Sequence, residues 1–169
     1  MKTLCVTVAT VILLGCSTAQ LSAQFGESKP EHDDRVKQLL DKTELKYEID
    51  KDGDFKLLFE FDGGRSQLVF VNSHTETYEG LEIREIWAVG YQPPKGDKVD
   101  AAISEQLIRA NAKLKLGAWQ VQKLNDTEVG VFRAMISADS GKDVLIDTMR
   151  LVGATSDQKE SELLGSDDL

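Results

Sequence analysis

DKVDAAISEQLIRANAKLKLG, residues 97 to 117, carries the strongest helical pattern in the chain. Its apolar residues recur every three or four positions and therefore line one face of a helix; they are Val99, Ile103, Leu107, Ala110 and Leu114. Asp97 is predicted to be the N-cap, and Gly117 is predicted to end the helix after two lysines. A helix with one apolar face needs a second layer to cover it, and strand patterns flank this stretch on both sides.

The segments before this helix alternate apolar and polar residues, which predicts half-buried strands. They are LKYEID from Leu45, FKLLFEF from Phe55, SQLVFVN from Ser66 and GLEIREIWAVGY from Gly80. Asp52-Gly53 and Asp62-Gly63-Gly64 are predicted turns, and polar residues 74 to 79 are interpreted as a loop. The apolar phase changes within the last strand, which predicts a bulge near Arg84 and Glu85.

The remaining segments complete an α+β pattern. AWQVQKL and EVGVFRAMIS are predicted to form a hairpin that turns at Asn125-Asp126. Helices are predicted from Pro30 to Thr43 and from Lys142 onward, the latter with Val144 on its buried face and a possible break at Gly153. Strands in blocks indicate an antiparallel sheet with helices on one face, in the order α-β(3-4)-α-β-β-α. With 41% hydrophobic and 29% charged residues, residues 30–164 are interpreted as one domain and 165–169 as a polar tail.

The N-terminus has the pattern of an export signal. MKTLCVTVATVILLGC contains one lysine and an apolar run that is too short to cross a membrane as a helix. Leu13-Leu14-Gly15-Cys16 resembles a lipobox, in which Cys16 is lipidated and becomes the first residue of the mature chain, so that the signal segment, assigned as residues 1–16, ends at this cysteine. The alternative is conventional cleavage after Ala19 or Ala23. Residues 17–29 are interpreted as a linker in either case.

Cysteine content and charge limit the possible environments. Only Cys16 could remain after processing, so an intramolecular disulfide is not expected. The predicted location is the cell envelope as a lipoprotein, or the periplasm or exterior if the signal is cleaved later. Membrane contact is then expected only through the lipid. The net charge of −9 argues against nucleic-acid binding.

Residue patterns for catalysis or for metal binding are weak. Asp50-Lys-Asp52-Gly-Asp54 begins like a calcium loop, but Phe55 and Phe61 stand where that loop needs Gly and Glu, so a hairpin turn is favoured. His74 with Glu76, and His32 with its acidic neighbours, lack a spaced ligand set. We find no nucleophile motif and no phosphate loop, and we therefore predict no catalytic residues, no metal and no cofactor.

Two further groups of residues have competing interpretations. Trp87, Tyr91 and Trp119 could form an aromatic binding surface, but residues of this type in strands more often pack in the core and on sheet faces. Asn111 lies beside the apolar stripe of the central helix, where an amide usually bonds a neighbouring loop or strand end. Asn111 and Gly117 are therefore predicted to be structural.

The element order and the stretch LIRANAKLKLGAWQV, residues 107 to 121, resemble the YbjN-like family of bacterial proteins. That family is described as sensory-transduction regulators with a fold similar to type III secretion chaperones. The resemblance covers about residues 32 to 164 and implies a domain used for protein contact. It supplies no active-site residues, and an export signal departs from the family pattern.

The sequence therefore predicts a noncatalytic, exported module that binds an unknown protein partner or associates with itself. The alternative is a small-ligand-binding protein or hydrolase whose carboxylates converge only in three dimensions. A structure with an exposed apolar patch favours the first hypothesis, and a deep pocket lined by Asp and Glu favours the second.

Overall fold

A computed structural model describes residues 31–169 of the chain. The predicted signal peptide 1–16, the lipidation site Cys16, the alternative cleavage sites and the linker 17–29 lie outside the described residues. The helices are α1 (Asp34–Leu40), α2 (Ala101–Ala110) and α3 (Lys142–Leu163). The strands are β1 (Glu48–Ile49), β2 (Phe55–Glu60), β3 (Ser66–Tyr78), β4 (Leu81–Tyr91), β5 (Ala118–Leu124) and β6 (Thr127–Ser137).

The six strands form one antiparallel sheet in the order β1-β2-β3-β4-β6-β5. Neighbours in sequence are neighbours in the sheet up to β4, after which α2 intervenes and β6 takes the place beside β4. The second hairpin therefore joins the sheet through β6 and leaves β5 at an edge. This confirms the predicted α+β class with an antiparallel sheet.

One hydrophobic cluster joins the sheet to all three helices. The strands contribute alternate residues to it, such as Leu57, Val69 and Ile86, as a period of two requires. The helices contribute Val36 and Leu40 from α1, Leu107 from α2, and Leu145, Met149 and Val152 from α3. Burying these side chains is the main source of stability, since each large apolar residue contributes on the order of 1.5–3 kcal/mol.

The central helix α2 is shorter than predicted. Asp100 is its N-cap and accepts a hydrogen bond from Ile103 N, whereas Asp97 N closes a turn by donating to Pro94 O. The predicted N-cap at Asp97 is therefore wrong, because the turn after Pro93-Pro94 uses that residue first. At its other end α2 tightens into a 3-10 turn, Asn111–Lys113, before Gly117.

The β3–β4 hairpin is longer than predicted. Residues 74–78 continue β3, and Thr75–Tyr78 pair with Leu81–Arg84, so the predicted loop is wrong; Glu79 and Gly80 form a tight turn with φ of 50° and 85°. The β3–β4 register shifts between Val71 and Thr75, whereas β4 pairs continuously with β6 through this region. The bulge predicted at Arg84 and Glu85 therefore lies on β3 instead. Arg84 occupies an inward position, and this produced the apparent phase change.

The last helix is continuous through Gly153. A Cβ at Gly153 would lie 3.1 Å from Val69 Cγ2 and 3.2 Å from Phe61 Cζ, so the glycine allows α3 to approach the sheet closely. The predicted break is wrong because packing outweighs the weak helix propensity of glycine. Val144 is 50% exposed and does not belong to the buried face that begins at Leu145.

Candidate functional site

The second face of the sheet carries large side chains outside the hydrophobic cluster. We define this surface, the second face, by the strand residues whose side chains alternate with the core residues. One row runs across β2, β3, β4 and β6 in register: Lys56 lies opposite Phe70, Phe70 opposite Trp87, and Trp87 opposite Arg133. Residues opposite one another in adjacent strands share a face, so these four side chains form a continuous row.

An aromatic stack lies at the centre of this row. The rings of Phe70 and Trp87 are stacked with centroids 4.2 Å apart and planes 8° apart. Trp87 Nε1 donates to Asn72 Oδ1 at 2.7 Å, which fixes the indole. The stack is half-buried, and its edges are polar and paired. Such a stack is a rigid contact surface with little side-chain entropy to lose on binding.

A hydrogen-bonded network borders the stack on one side. Glu85 accepts from Asn72 Nδ2 at 3.2 Å and from Arg133 Nη1 at 3.0 Å. Arg133 Nη2 in turn donates to Gln122 Oε1 at 2.7 Å. Because the acid and the base neutralise each other, this part of the second face carries little net charge even though the whole chain has a charge of −9.

Two shallow apolar cavities meet at Leu68 on this face. One, of about 390 Å³, is lined by Tyr47, Leu58 and Leu68, with Lys46, Glu48 and Lys56 at its rim. The other, of about 210 Å³, is lined by Leu68, Phe70 and Val89, together with Gln67, Gln92, Asp168 and Leu169. Leu58 is 61% exposed, so an aliphatic side chain stands out beside the first cavity.

The second face is not predicted from the sequence. FKLLFEF and SQLVFVN each contain apolar residues in both phases, because Leu58 breaks the alternation in β2 and Leu68 and Phe70 break it in β3. These outward apolar residues are the sequence feature that indicates the second face, since a strand with one solvent-exposed face should be polar at its outward positions. Trp119 is 4% exposed in the core and Trp87 lies on the second face, as the favoured interpretation of these aromatic residues has it.

The structure places Asn111 and Gly117 at the junction between α2 and β5. Asn111 exchanges two hydrogen bonds with the backbone of Trp119. Gly117 has φ of 81°, and a Cβ there would lie 2.7 Å from Phe132 Cζ. These contacts hold the end of α2 close to β5 and β6.

Both histidines line one open cleft of about 530 Å³, together with Glu31, Asp33, Asp34, Asp52 and Ser73. His32 Nε2 lies 3.3 Å from Asp34 Oδ1, and His74 Nε2 lies 3.3 Å from Glu76 Oε1. The side chain of His74 is 84% exposed. The two histidines are far apart in sequence but line the same cleft. Each imidazole nevertheless pairs with a carboxylate two residues away in its own segment.

A buried ion pair lies beside this cleft. The Arg84 side chain is 1% exposed, bonds Asp33 and donates to Asn72 O at 2.5 Å. Burial by itself raises the pKa of Asp33, but hydrogen bonds from Arg35 and Arg84 outweigh it and hold that pKa far below its usual value. Arg35 also bonds Glu82 and lowers the pKa of that carboxyl to about 2. These carboxylates therefore stay charged and paired, which does not suit an acid–base catalyst.

Three further carboxylates, Asp157, Glu160 and Asp167, have oxygens within 4.8 Å of one another. Arg65 donates to Asp157 Oδ1 at 2.7 Å and lies 3.4 Å from Glu160 Oε2. The guanidinium thus supplies the positive charge that a bound cation would bring. Burial raises the pKa of Glu160, which is 0% exposed.

The calcium-like sequence Asp50 to Asp54 forms the β1–β2 turn. Asp50 Oδ1 accepts from Asp52 N and from Asp54 N, and Gly53 has φ of 88°. Asp54 Oδ1 accepts from Ser73 N at 2.7 Å. The predicted hairpin turn is confirmed, and the carboxylates of Asp50 and Asp54 bond backbone amides.

Within residues 31–169, none of the helices has the length and apolar composition needed to cross a membrane. No protein-family model matches this chain, and no curated protein matches it either.

Proposed function

We propose that this chain is an exported, noncatalytic module that binds a protein partner through the second face of its sheet. The observation that carries the proposal is the Phe70–Trp87 stack, flanked by the exposed Leu58 and by two apolar cavities. Protein interfaces are enriched in aromatic anchors of this kind, surrounded by paired polar groups.

The residues of the second face indicate what kind of segment would bind there. Its apolar centre and its paired charges suit an uncharged segment that brings an aliphatic or aromatic side chain to the cavity beside Leu58. A second copy of the chain is less well suited, because two bodies with a net charge of −9 repel each other. We therefore propose a heterologous protein as the partner, and self-association is the competing outcome.

The proposed family and location rest on sequence. We infer membership of the YbjN-like family, with helices on one face in a chaperone-like order, from the resemblance of residues 107 to 121 and from the order of elements. Export and lipidation at Cys16 rest on the N-terminal pattern. Intact mass of the mature protein tests them: a chain that starts at acylated Cys16 supports the lipoprotein, whereas a free Gln20 or Gln24 terminus contradicts it.

The experiment for partner binding compares two exposed aliphatic residues, one on the second face and one on α2. A photo-cross-linking amino acid at Leu58, 61% exposed, should capture a protein in the native envelope, whereas the same group at Ile108, 66% exposed on α2, should not. The captured protein is then purified and titrated against the chain. Leu58→Glu should weaken binding at least tenfold, and Ile108→Glu should leave it unchanged. Equal affinity for both variants would overturn the proposal, as would a protein that sediments as a stable homodimer through this face.

A second candidate function is suggested by the cleft that contains both histidines. Two imidazoles and the carboxylates of Glu31, Asp34 and Asp52 lie around one open space, and together they could bind a small polar ligand or act as acid and base. Replacement of both His32 and His74 by Ala separates the two functions. Under the first proposal the double variant binds the partner normally, and under the second it loses ligand binding or hydrolysis.

A further inference from the structure

The segment that follows α3 is held against the sheet through its backbone. Ser166 O accepts from Arg65 Nη1 at 2.7 Å. Asp168 N and Leu169 N both donate to Glu160 Oε1, at 2.7 and 3.0 Å. The predicted polar tail is therefore docked.

The two anchors of this segment are themselves fixed. Glu160 is 0% exposed within α3, and Arg65 is bonded to Asp157 one helical turn earlier. Asp167 adds a side-chain contact by accepting from Ser66 N at 3.1 Å. Charge-assisted hydrogen bonds to a carboxylate and from a guanidinium are stronger than neutral ones, so this short segment has a defined resting position.

The docked segment covers part of the second face. Asp168 and Leu169 form one wall of the cavity of about 210 Å³ whose other wall includes Leu68, Phe70 and Val89. Half of the aromatic stack thus faces this cavity. A partner that approaches Phe70 from this end would meet Leu169 first.

The same contacts show how the segment can leave. Its attachment consists of polar bonds at its backbone and at Asp167, and Leu169 is its single large apolar side chain. None of residues 166–169 belongs to the hydrophobic cluster. Release therefore exposes little apolar surface and leaves the packing of α3 unchanged, which is the condition for opening without global unfolding.

We propose that Ser166–Leu169 is a displaceable strap that closes one end of the second face and opens to admit the partner to Phe70 and Val89. The consequence for the partner rests on the proposed function, but the strap itself does not. The charged groups that face Glu160 are Arg65, the residue before β3, Asp157 from α3, and Asp167 from the strap. Arg65 bonds both Asp157 in α3 and Ser166 O in the strap, so the strap must break its bond to Arg65 in order to open.

Cysteine labelling tests the closure. In the full chain with Cys5 and Cys16 replaced by Ser, we compare maleimide reaction rates at Val89→Cys, which lines the covered cavity, and at Leu58→Cys, which lines the other one. Deletion of residues 166–169 should raise the rate at position 89 at least fivefold and leave that at position 58 unchanged. Ala88→Cys, buried in the core, reports unfolding and should stay unreactive. An unchanged rate at position 89 overturns the proposal.

Amide hydrogen exchange tests whether the strap moves. The amides of Asp168 and Leu169 should exchange more slowly than those of an open peptide, yet faster than the amide of Val152 in α3. Exchange only together with Val152 would mean a fixed cap and would overturn the proposal, as would unprotected amides. A partner captured at Leu58 should bind the deleted chain more tightly. If no partner binds at all, the proposed function fails while labelling and exchange still decide the strap.

Discussion

Asn111 pairs with the backbone of Trp119 at two points, as a residue of a neighbouring strand would. Trp119 N donates to Asn111 Oδ1 at 2.7 Å, and Asn111 Nδ2 donates to Trp119 O at 3.2 Å. β5 is an edge strand, so these backbone groups have no strand beside them. The amide both satisfies them and joins α2 to the sheet, which protects this part of the edge from pairing with another chain.

Replacing Asn111 with Ala should lower the free energy of unfolding by about 1–3 kcal/mol, because a buried donor and acceptor at Trp119 lose their partner. Urea denaturation measures this loss. Gln106→Ala, on an exposed turn of the same helix, is the matched control and should change stability little. A loss no greater than that of the control, together with loss of partner binding, would show that Asn111 belongs to the interface.

Gly117 and Gly64 offer a matched test of close packing. Both have positive φ, 81° and 78°, but a Cβ at Gly117 would lie 2.7 Å from Phe132 Cζ and 2.8 Å from Arg133 O, whereas one at Gly64 meets nothing within 4 Å. Each Gly→Ala change costs on the order of 1–2 kcal/mol for the left-handed backbone. Gly117→Ala should cost about 1–3 kcal/mol more for overpacking. Thermal unfolding of the two variants measures the difference, and equal losses would contradict the close contact.

The sequence predicted those parts of the fold that depend on local periodicity. The strands around Leu57, Val69 and Ile86 alternate clearly, and their pairing follows from short turns. Helix α3 was also predicted from its apolar face. These signals are strong because burial on one face imposes a period that the chain must follow over many residues.

The sequence-based predictions are wrong where contacts between distant parts of the chain outweigh local sequence patterns. A polar hairpin tip forms at Thr75 to Tyr78 because β4 pairs with it, although little of it is buried. Arg84 takes an inward position because Asp33 neutralises it from a distant part of the chain. The second face was missed for a related reason, since an outward Phe70 stacks on Trp87 from another strand and cannot be told from a core residue in sequence.

Acid should destabilise the protein through Asp33. Its folded pKa lies below the ordinary 3.8, so its contribution to stability is present above that value and is lost as the pH falls toward the folded pKa. Asp33→Asn should cost about 3–5 kcal/mol at neutral pH, because the buried Arg84 loses its counter-charge, and should flatten the acid limb of the stability curve. Urea unfolding between about pH 7 and pH 2 measures both effects.

The neighbouring Asp34 is the control for this pH dependence. Its side chain is 81% exposed and lies 3.3 Å from His32, so Asp34→Asn should keep the acid limb of the natural protein. If Asp33→Asn and Asp34→Asn gave the same curve, the stabilising role of the Arg84 pair would be wrong.

Glu160 should change the pH dependence of stability in the direction opposite to Asp33. Burial raises its pKa above the ordinary 4.5, although the amides of Asp168 and Leu169 oppose the shift. The folded state therefore binds this proton more tightly than the unfolded chain does, and the contribution of Glu160 is full below that value and is lost as the pH rises through the raised pKa. Glu160→Gln does not titrate and keeps an acceptor for both amides. Its free energy of unfolding, relative to the natural protein, should therefore rise from about pH 4 to about pH 8.

Glu162 on the same helix supplies the control for Glu160, because a hydrogen bond from Lys159 lowers its pKa. Glu162→Gln should show the reverse trend, with relative stability falling as the pH rises, and a small amplitude since its side chain is 46% exposed. Parallel trends in the two variants would mean that the hydrogen bonds to the Glu160 carboxylate outweigh the cost of burying its charge, and would contradict its raised pKa. Opposite trends would mean that the helix pays a cost to keep this carboxylate buried, and that Glu160 is retained for the two amides it holds.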